Sequence, residues 1–233
     1  MRLEVILENV ARTGCKVLAD IGTDHAFIPT EAIKRKLAKK AIACDISPGP
    51  LGIAKKNIIK EDLAEYIELR LGDGLKPIRH GEACAIVIAG MGGMRILNII
   101  EESFEKVGKT SLILQPQHDA SKLRRGLFDL GIDIYGEYLA KEGERFYEIL
   151  CASKSSEMNR KDKCGREAKS SETSCLLEED FFVGSYTGEL APQFYLQKKQ
   201  KIERYIHRIS DENEKKQACK ELAWLDNRLL RFG

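Results

Sequence analysis

The chain has no long hydrophobic run, no paired cysteine motif and almost no net charge. No apolar stretch in its 233 residues approaches the ~18 needed for a membrane-spanning helix. Lys and Arg total 38 against 36 Asp and Glu, a net charge of +2. A nucleic-acid partner would therefore have to be met by local patches rather than by a global field. No two of the seven cysteines (15, 44, 84, 151, 164, 175 and 219) stand at C-x-x-C spacing. A structural zinc site is not expected, and an odd, scattered set suits reduced thiols in the cytoplasm. The start, MRLEVILENVARTG, reads as an amphipathic helix carrying acids rather than a signal peptide. What is present is the composition of a soluble globular protein, 43% apolar and 32% charged.

Apolar runs alternate with helical patterns. KVLADIG (16–22), AIACDI (41–46), IELRLGDG (67–74), CAIVIAGMGG (84–93) and SLILQPQ (111–117) read as strands. PTEAIKRKLAKK (29–40), PLGIAKKNIIKEDL (50–63), MRILNIIEESFEKV (94–107) and ASKLRRGLFDLG (120–131) read as the helices between and after them. Residues 132–154 read as a hairpin forming an antiparallel edge. The alternation predicts an α/β fold with a doubly wound, mostly parallel sheet over residues 1–154. Residues 155–175 are almost wholly polar and are expected to be mobile. Beyond them, 193–209 and 213–232 read as two helices. Ala218, Leu222, Leu225, Leu229 and Phe232 are spaced as a heptad seam, and Asp211 with Glu214 fits a capping box. A C-terminal helical coiled-coil hairpin over 176–233 is expected.

Ligands of open α/β sheets bind at the carboxyl ends of the strands. After the first strand the sequence is G-T-D-H-A-F, which keeps one glycine of a dinucleotide loop and places Asp24 where phosphates would lie. One like-charge pair at ~4 Å costs about 4 kcal/mol at an effective dielectric near 20, roughly a thousandfold in affinity. NAD and FAD are disfavoured. S-adenosylmethionine, with a sulfonium and an ammonium and no phosphate, meets no such conflict. Asp45 ends the second strand, where a carboxylate accepts ribose hydroxyls. Asp73, between Gly72 and Gly74, is placed to take an adenine amine. Any one of these acids alone would equally suit a helix cap or a turn; three at successive strand ends point to a ligand. The fourth strand ends in AGMGG, whose glycines allow backbone to approach a ligand or make a tight turn. It lacks the N-P-P-Y-like tetrapeptide of adenine-N6 methyltransferases. Cys84 opens a strand and reads as a small buried hydrophobe rather than a nucleophile.

In chain order, RLEVILENV, VLADIGTDHAFIP, AIACDISPGPLGIAKKNI, LRLGDGL, IVIAGMGG and LILQPQ resemble the bacterial tRNA (adenine-N1) methyltransferases of the TrmK type. The resemblance covers residues 2–154. It implies a class I, Rossmann-like fold and S-adenosylmethionine-dependent methylation of N1 of the adenine at position 22 of tRNA, without a metal. It also implies that Asp20, Gly22, Asp24 and His25 line the methionine end of the cofactor, that Asp45 holds the ribose, and that Asp73 and Gly74 hold the adenine. Ala89, Gly90, Met91 and Gly92 would close the pocket where the base enters, with Gln115 and Pro116 on its rim. Asp24, His25 and Met91 are the candidate catalytic residues. N1 carries a free lone pair, so no proton must leave before attack and catalysis can rest on positioning. N1 also lies on the pairing edge, so the base must be unpaired or flipped out. His25 and His118 are candidates to touch it.

For RNA, the basic stretches are KRKLAKK (34–40), KLRR (122–125) and the helix 193–209, where Lys198, Lys199 and Arg204 are the candidate contacts. Each alone also suits a solvated helix face. The oligomeric state stays open, with a monomer favoured. The competing readings are a methyltransferase acting on a protein or small molecule, and a non-catalytic S-adenosylmethionine-binding module.

Overall fold

The computed structural model describes residues 1–154 and 178–232. The polar segment expected at 155–175 lies outside the described residues. An N-terminal helix α1 (Arg2–Thr13) precedes β1 (Val17–Ile21), α2 (Phe27–Lys34), β2 (Lys40–Asp45), α3 (Pro48–Lys60), β3 (Ile67–Leu71) and β4 (Ala85–Met91). Then come α4 (Gly93–Glu101), the short α5 (Phe104–Val107), β5 (Ser111–Pro116), α6 (Ala120–Asp129), β6 (Ile132–Glu142) and β7 (Arg145–Lys154). The C-terminal part holds α7 (Glu178–Val183), α8 (Leu190–Ile206), α9 (Glu212–Leu229) and a last 3₁₀ turn.

The seven strands run in the order β3-β2-β1-β4-β5-β7-β6. The first five are parallel, and β7 is antiparallel to both β5 and β6. This is the doubly wound fold, with two apolar layers on the two faces of a sheet whose central strands are buried on both sides. The terminal hairpin forms the antiparallel edge expected of it, with its second strand, β7, inserted beside β5 and its first, β6, outermost. The helix expected over 29–40 stops at Lys34, because Lys36 takes a left-handed φ of 59° and turns the chain into β2. The helix expected over 94–107 is broken in two around Ser103.

α8 and α9 pack on each other, and the Asp211 carboxylate accepts the Glu214 N–H at 2.8 Å as a cap. Ala218 and Leu225 are buried with Tyr195 and Ile202, and Leu222 and Leu229 pack at their margin. Leu139 and Phe146, from the sheet, pack against the same cluster. The helical pair is thus seated on β6 and β7 rather than held away from them. Arg124, within the stretch read as an RNA-facing patch, is only 3% exposed and joins this seam. The reason is that α6 turns it toward the sheet, not toward solvent.

Candidate active site

The strand order reverses between β1 and β4, and the crevice above their carboxyl ends gathers the residues singled out by sequence. Asp20, the penultimate residue of β1, is 3% exposed and accepts the Thr23 hydroxyl at 2.6 Å. The N–H groups of Gly22 and Thr23 both donate to the Cys44 carbonyl at 2.8 and 2.9 Å, tying the loop to β2. Gly22 has φ 76°, and a Cβ there would run into the Met91 methyl. Met91 reaches it because β4 carries an irregularity between Ala89 and Met91, with Gly90 at φ 81°. Asp24 (φ 39°) and Ala26 (φ 58°) are non-glycine residues in left-handed conformation, a strained pair of the kind found at functional loops. The His25 ring stands between them, 3.4 Å from the Asp24 carboxylate and stacked on Phe27 at 5.3 Å.

Asp45 accepts the Ser47 N–H at 2.8 Å and lies in register with Leu71 of β3. Leu71 and Ile46 are each about 60% exposed although apolar. Sequence reasoning passed over both. The available signal was an apolar residue at a strand terminus where no core position is expected. Asp73 is held by Lys76 at 3.0 Å and Arg95 at 2.7 Å, which together keep its carboxyl below the usual range, Lys76 foremost. Arg95 was likewise not foreseen.

Two loops form the other wall. Gly90 N–H donates to the Gln115 side chain at 3.2 Å, Gln117 N–H to the Met91 carbonyl at 2.8 Å, Gln117 Nε2 to the Gly90 carbonyl at 2.9 Å, and Gly93 N–H to the His118 carbonyl at 2.9 Å. The His118 ring lies over Gly92, its Nδ1 2.7 Å from the Asp119 carboxylate. His118 is exposed beside the site.

Several expectations are corrected. Gln115 and Pro116 are buried and brace the glycine loop rather than forming a rim, because the Gln115 side chain accepts the Gly90 N–H and Pro116 pairs in register with Met91. Arg2, at the start of α1, reaches the same Gln115 oxygen at 3.3 Å. The Lys198 ammonium turns inward onto the Phe182 carbonyl and lies 4.0 Å from the Phe182 ring centre. Burial pushes it down to about 8. Lys199 is bound to Asp226 at 2.5 Å. Only Arg204 of these three is exposed. Cys84 is exposed, not buried, but sits at the start of β4, the opposite end of the strand from the site, with its sulfur against β1. Among the described residues no group of three or more His, Cys, Asp or Glu could hold a metal, and no helix is long and apolar enough to cross a membrane.

The donor set fits S-adenosylmethionine. The strand ends offer the carboxylates of Asp24 and Asp45 to a cationic ligand with Asp20 buried behind them, and Gly22, lacking a side chain, lets the Met91 methyl close over the loop between β1 and β4. Burial raises Asp20 to about 7 from 3.8. An acid raised on folding stays protonated where the unfolded chain has already ionised. Its contribution to stability is therefore greatest below about pH 4, is lost between about pH 4 and 7, and changes no further above. Asp20→Asn is expected to lose less melting temperature than the wild type between pH 4.5 and 7.5. Parallel pH profiles of the two would discount burial as the cause.

A doubly wound sheet with acids at successive strand ends, a left-handed loop after β1 and a glycine loop after β4 defines a class I methyltransferase. Comparison with known proteins agrees: residues 1–150 match the family described as "Methyltransferase domain". The tRNA (adenine(22)-N(1))-methyltransferase of Bacillus subtilis (strain 168) is 36% identical over 225 residues, covering 95% of this chain and 91% of that one. The crystal structure of the B. subtilis M1A22 tRNA methyltransferase TrmK superposes with a TM-score of 0.75 at 32% identity, covering 98% of this chain and 94% of the other. Streptococcus pneumoniae Sp1610, crystallised in complex with S-adenosyl-L-methionine, gives 0.79 at 29% identity over 98% of both chains. The chain belongs to the tRNA (adenine(22)-N1)-methyltransferase family.

Proposed function

We infer that the protein transfers a methyl group from S-adenosylmethionine to N1 of the adenine at position 22 of tRNA, in the cytoplasm. The observation that carries the reading is the whole-length similarity to the B. subtilis enzyme, joined to an acid-lined crevice in this chain. When bound, the cofactor supplies an electrophilic methyl group. Asp45 accepts the ribose hydroxyls, Asp20 and Asp24 favour the cationic end, and Asp73 with Gly74 faces the adenine. The laced loops of Ala89–Gly92 and Gln115–His118 form a rigid wall that orients the incoming base and excludes water. His25, in the loop after β1, and His118, in the loop after β5, are the rings placed to meet the base. N1 needs no deprotonation, so these groups act by position. The division of labour follows: residues 1–154 hold the cofactor, and the C-terminal helices present Lys201, Arg204 and Arg208, all exposed, to the RNA backbone.

The test is methyl transfer from tritiated S-adenosylmethionine to unmodified tRNA, with nucleoside analysis. Label in 1-methyladenosine, lost when adenine 22 is replaced by guanine, is expected; label elsewhere, or none, overturns the reading. Asp45→Ala is expected to weaken the cofactor by about 1.5–3 kcal/mol, the loss of a charged hydrogen bond. Calorimetry showing unchanged affinity would remove Asp45 from the ribose site.

A further inference from the structure

The cleft between α2 and α3 opens beside the catalytic loop and shares with it only the His25–Phe27 stack. It is lined by His25, Phe27, Thr30 and Lys34 on one side and by Asn57 and Lys60 on the other, with Glu31 and Glu61 between them. Its volume of about 240 Å³ falls below the roughly 300–1,000 Å³ of pockets that engulf a whole ligand. It suits a flat group laid against a wall.

The wall is aromatic. Phe27 is 60% exposed in a position where α2 could have carried any polar residue. Its ring is nearly parallel to that of His25, with an interplanar angle of 22°. The His25 carbonyl accepts the Asn57 side-chain amide at 3.0 Å, fixing this stack to α3. The Thr30 residue is 8% exposed and its hydroxyl has no hydrogen-bond partner, so the cleft floor holds an unmet polar group. The lysines of the cleft, Lys34 and Lys60, are set against two carboxylates, Glu31 and Glu61. Lys34 is held by Glu61 at 2.9 Å and Glu31 at 3.7 Å, leaving the exposed Lys60 as the ammonium best able to meet a phosphate. Lys34 also begins the basic stretch 34–40, to which the proposed chemistry assigns no role.

An exposed ring, polar groups and a cation in series match an unpaired nucleotide better than an apolar peptide side chain, which would need an enclosing apolar wall. We propose that this cleft holds the nucleotide next to the target adenine, its base stacked on Phe27 and its phosphate near Lys60. Methylation of N1 demands that the target leave the base stack. Its neighbour then loses a stacking partner, and the His25–Phe27 pair supplies a replacement directly beside the catalytic loop. Stacking on an aromatic side chain tolerates any base, so the site positions the strand rather than reading its sequence.

This proposal rests on the tRNA methyltransferase reading, and the experiment separates the two. With full-length protein and unmodified tRNA, Phe27→Ala is expected to raise KM for tRNA roughly 5- to 150-fold, the range set by one lost base–aromatic stack. The affinity for S-adenosylmethionine and the melting temperature should stay at wild-type values, and Phe27→Trp should recover a KM near wild type. Lys60→Ala should lower the salt slope of tRNA affinity by about one phosphate contact. An unchanged KM in Phe27→Ala overturns the proposal and leaves the methyltransferase reading intact. So does a KM rise matched by an equal loss of cofactor affinity, which would mean that the ring only props the His25 loop. A wild-type protein that transfers no methyl to tRNA overturns both.

Discussion

Arg124→Ala is expected to destabilise the protein by about 3–5 kcal/mol, because it strips the buried cation from two largely buried carboxylates. Arg124 Nε donates to Glu137 at 2.6 Å and Nη2 to Glu148 at 2.6 Å; Nη1 reaches the Phe181 carbonyl at 3.2 Å. The Tyr186 hydroxyl bonds to both Arg124 and Glu148, and Glu137 also accepts the Ser185 N–H at 2.5 Å. One guanidinium thus joins α6, β6 and β7 to the start of the C-terminal helices. Burial opposes a charge on Glu148, but Arg124, Lys198 and the Tyr186 hydroxyl outweigh it and hold its carboxyl below the ordinary range. Gly184, at φ 76°, lets the chain pass over the guanidinium.

For a chain of this length the loss corresponds to a fall of roughly 6–20 °C in melting temperature. Arg124→Met should do little better, since it restores volume but not charge. Combined with Glu137→Gln and Glu148→Gln it should recover much of the loss, because the carboxylates that needed the cation are then gone. A single mutant melting like the wild type would show that the cluster is solvated. The same cluster bears on removal of the C-terminal helices, which would uncover Arg124, Leu139 and Phe146 together.

Gly93→Ala is expected to lower kcat/KM for methyl transfer about a hundredfold, the scale of a ~1 Å displacement in a positioned site. A Cβ at residue 93 would stand 2.5 Å from the Asp119 carbonyl oxygen, 2.9 Å from its carbon and 3.0 Å from the His118 carbonyl oxygen. All three are backbone atoms, so no side chain can swing aside. The loop they belong to is pinned to the glycine loop by the Gly93-to-His118 and Gln117-to-Met91 bonds. Relief must come from parting the two loops, which shifts His118 away from Gly92 and Met91 away from Gly22. Stability should fall by about 1–3 kcal/mol, as for other overpacked sites. Single-turnover methyl transfer would measure the effect on the chemical step. A rate within threefold of wild type would mean that the wall yields without consequence.

The residues that the sequence singles out at the strand ends share one property. Asp20, Asp45 and Gly90 stand in the last residues of apolar strands, and Gly22, Asp24, Asp73 and Gly92 in the loops that directly follow them, where the parallel sheet must end. Their place follows from a period-2 or continuous apolar pattern and needs no tertiary information. The residues that were misread, Gln115, Arg124 and Lys198, are polar side chains on elements whose facing was not encoded locally. Gln115 ends a strand much as Asp45 does, yet β5 has the covering α1 beside it and its amide turns to Gly90 and Arg2.

By itself the sequence determined the alternation of strands and helices, the parallel sheet and the strand ends at which acids and glycines gather. These rest on hydrophobic period, turn residues and charge type, all of which act over a few neighbouring positions. Tertiary structure alone decided that β7 inserts inside β6, that Arg124 is buried beneath the C-terminal helices, that Lys198 turns inward and that Phe27 stands exposed beside His25. The physical reason is that burial of a long polar side chain depends on partners far along the chain, here Glu137, Glu148 and Tyr186 for Arg124. Such partners offset the cost of desolvation only once the elements have met.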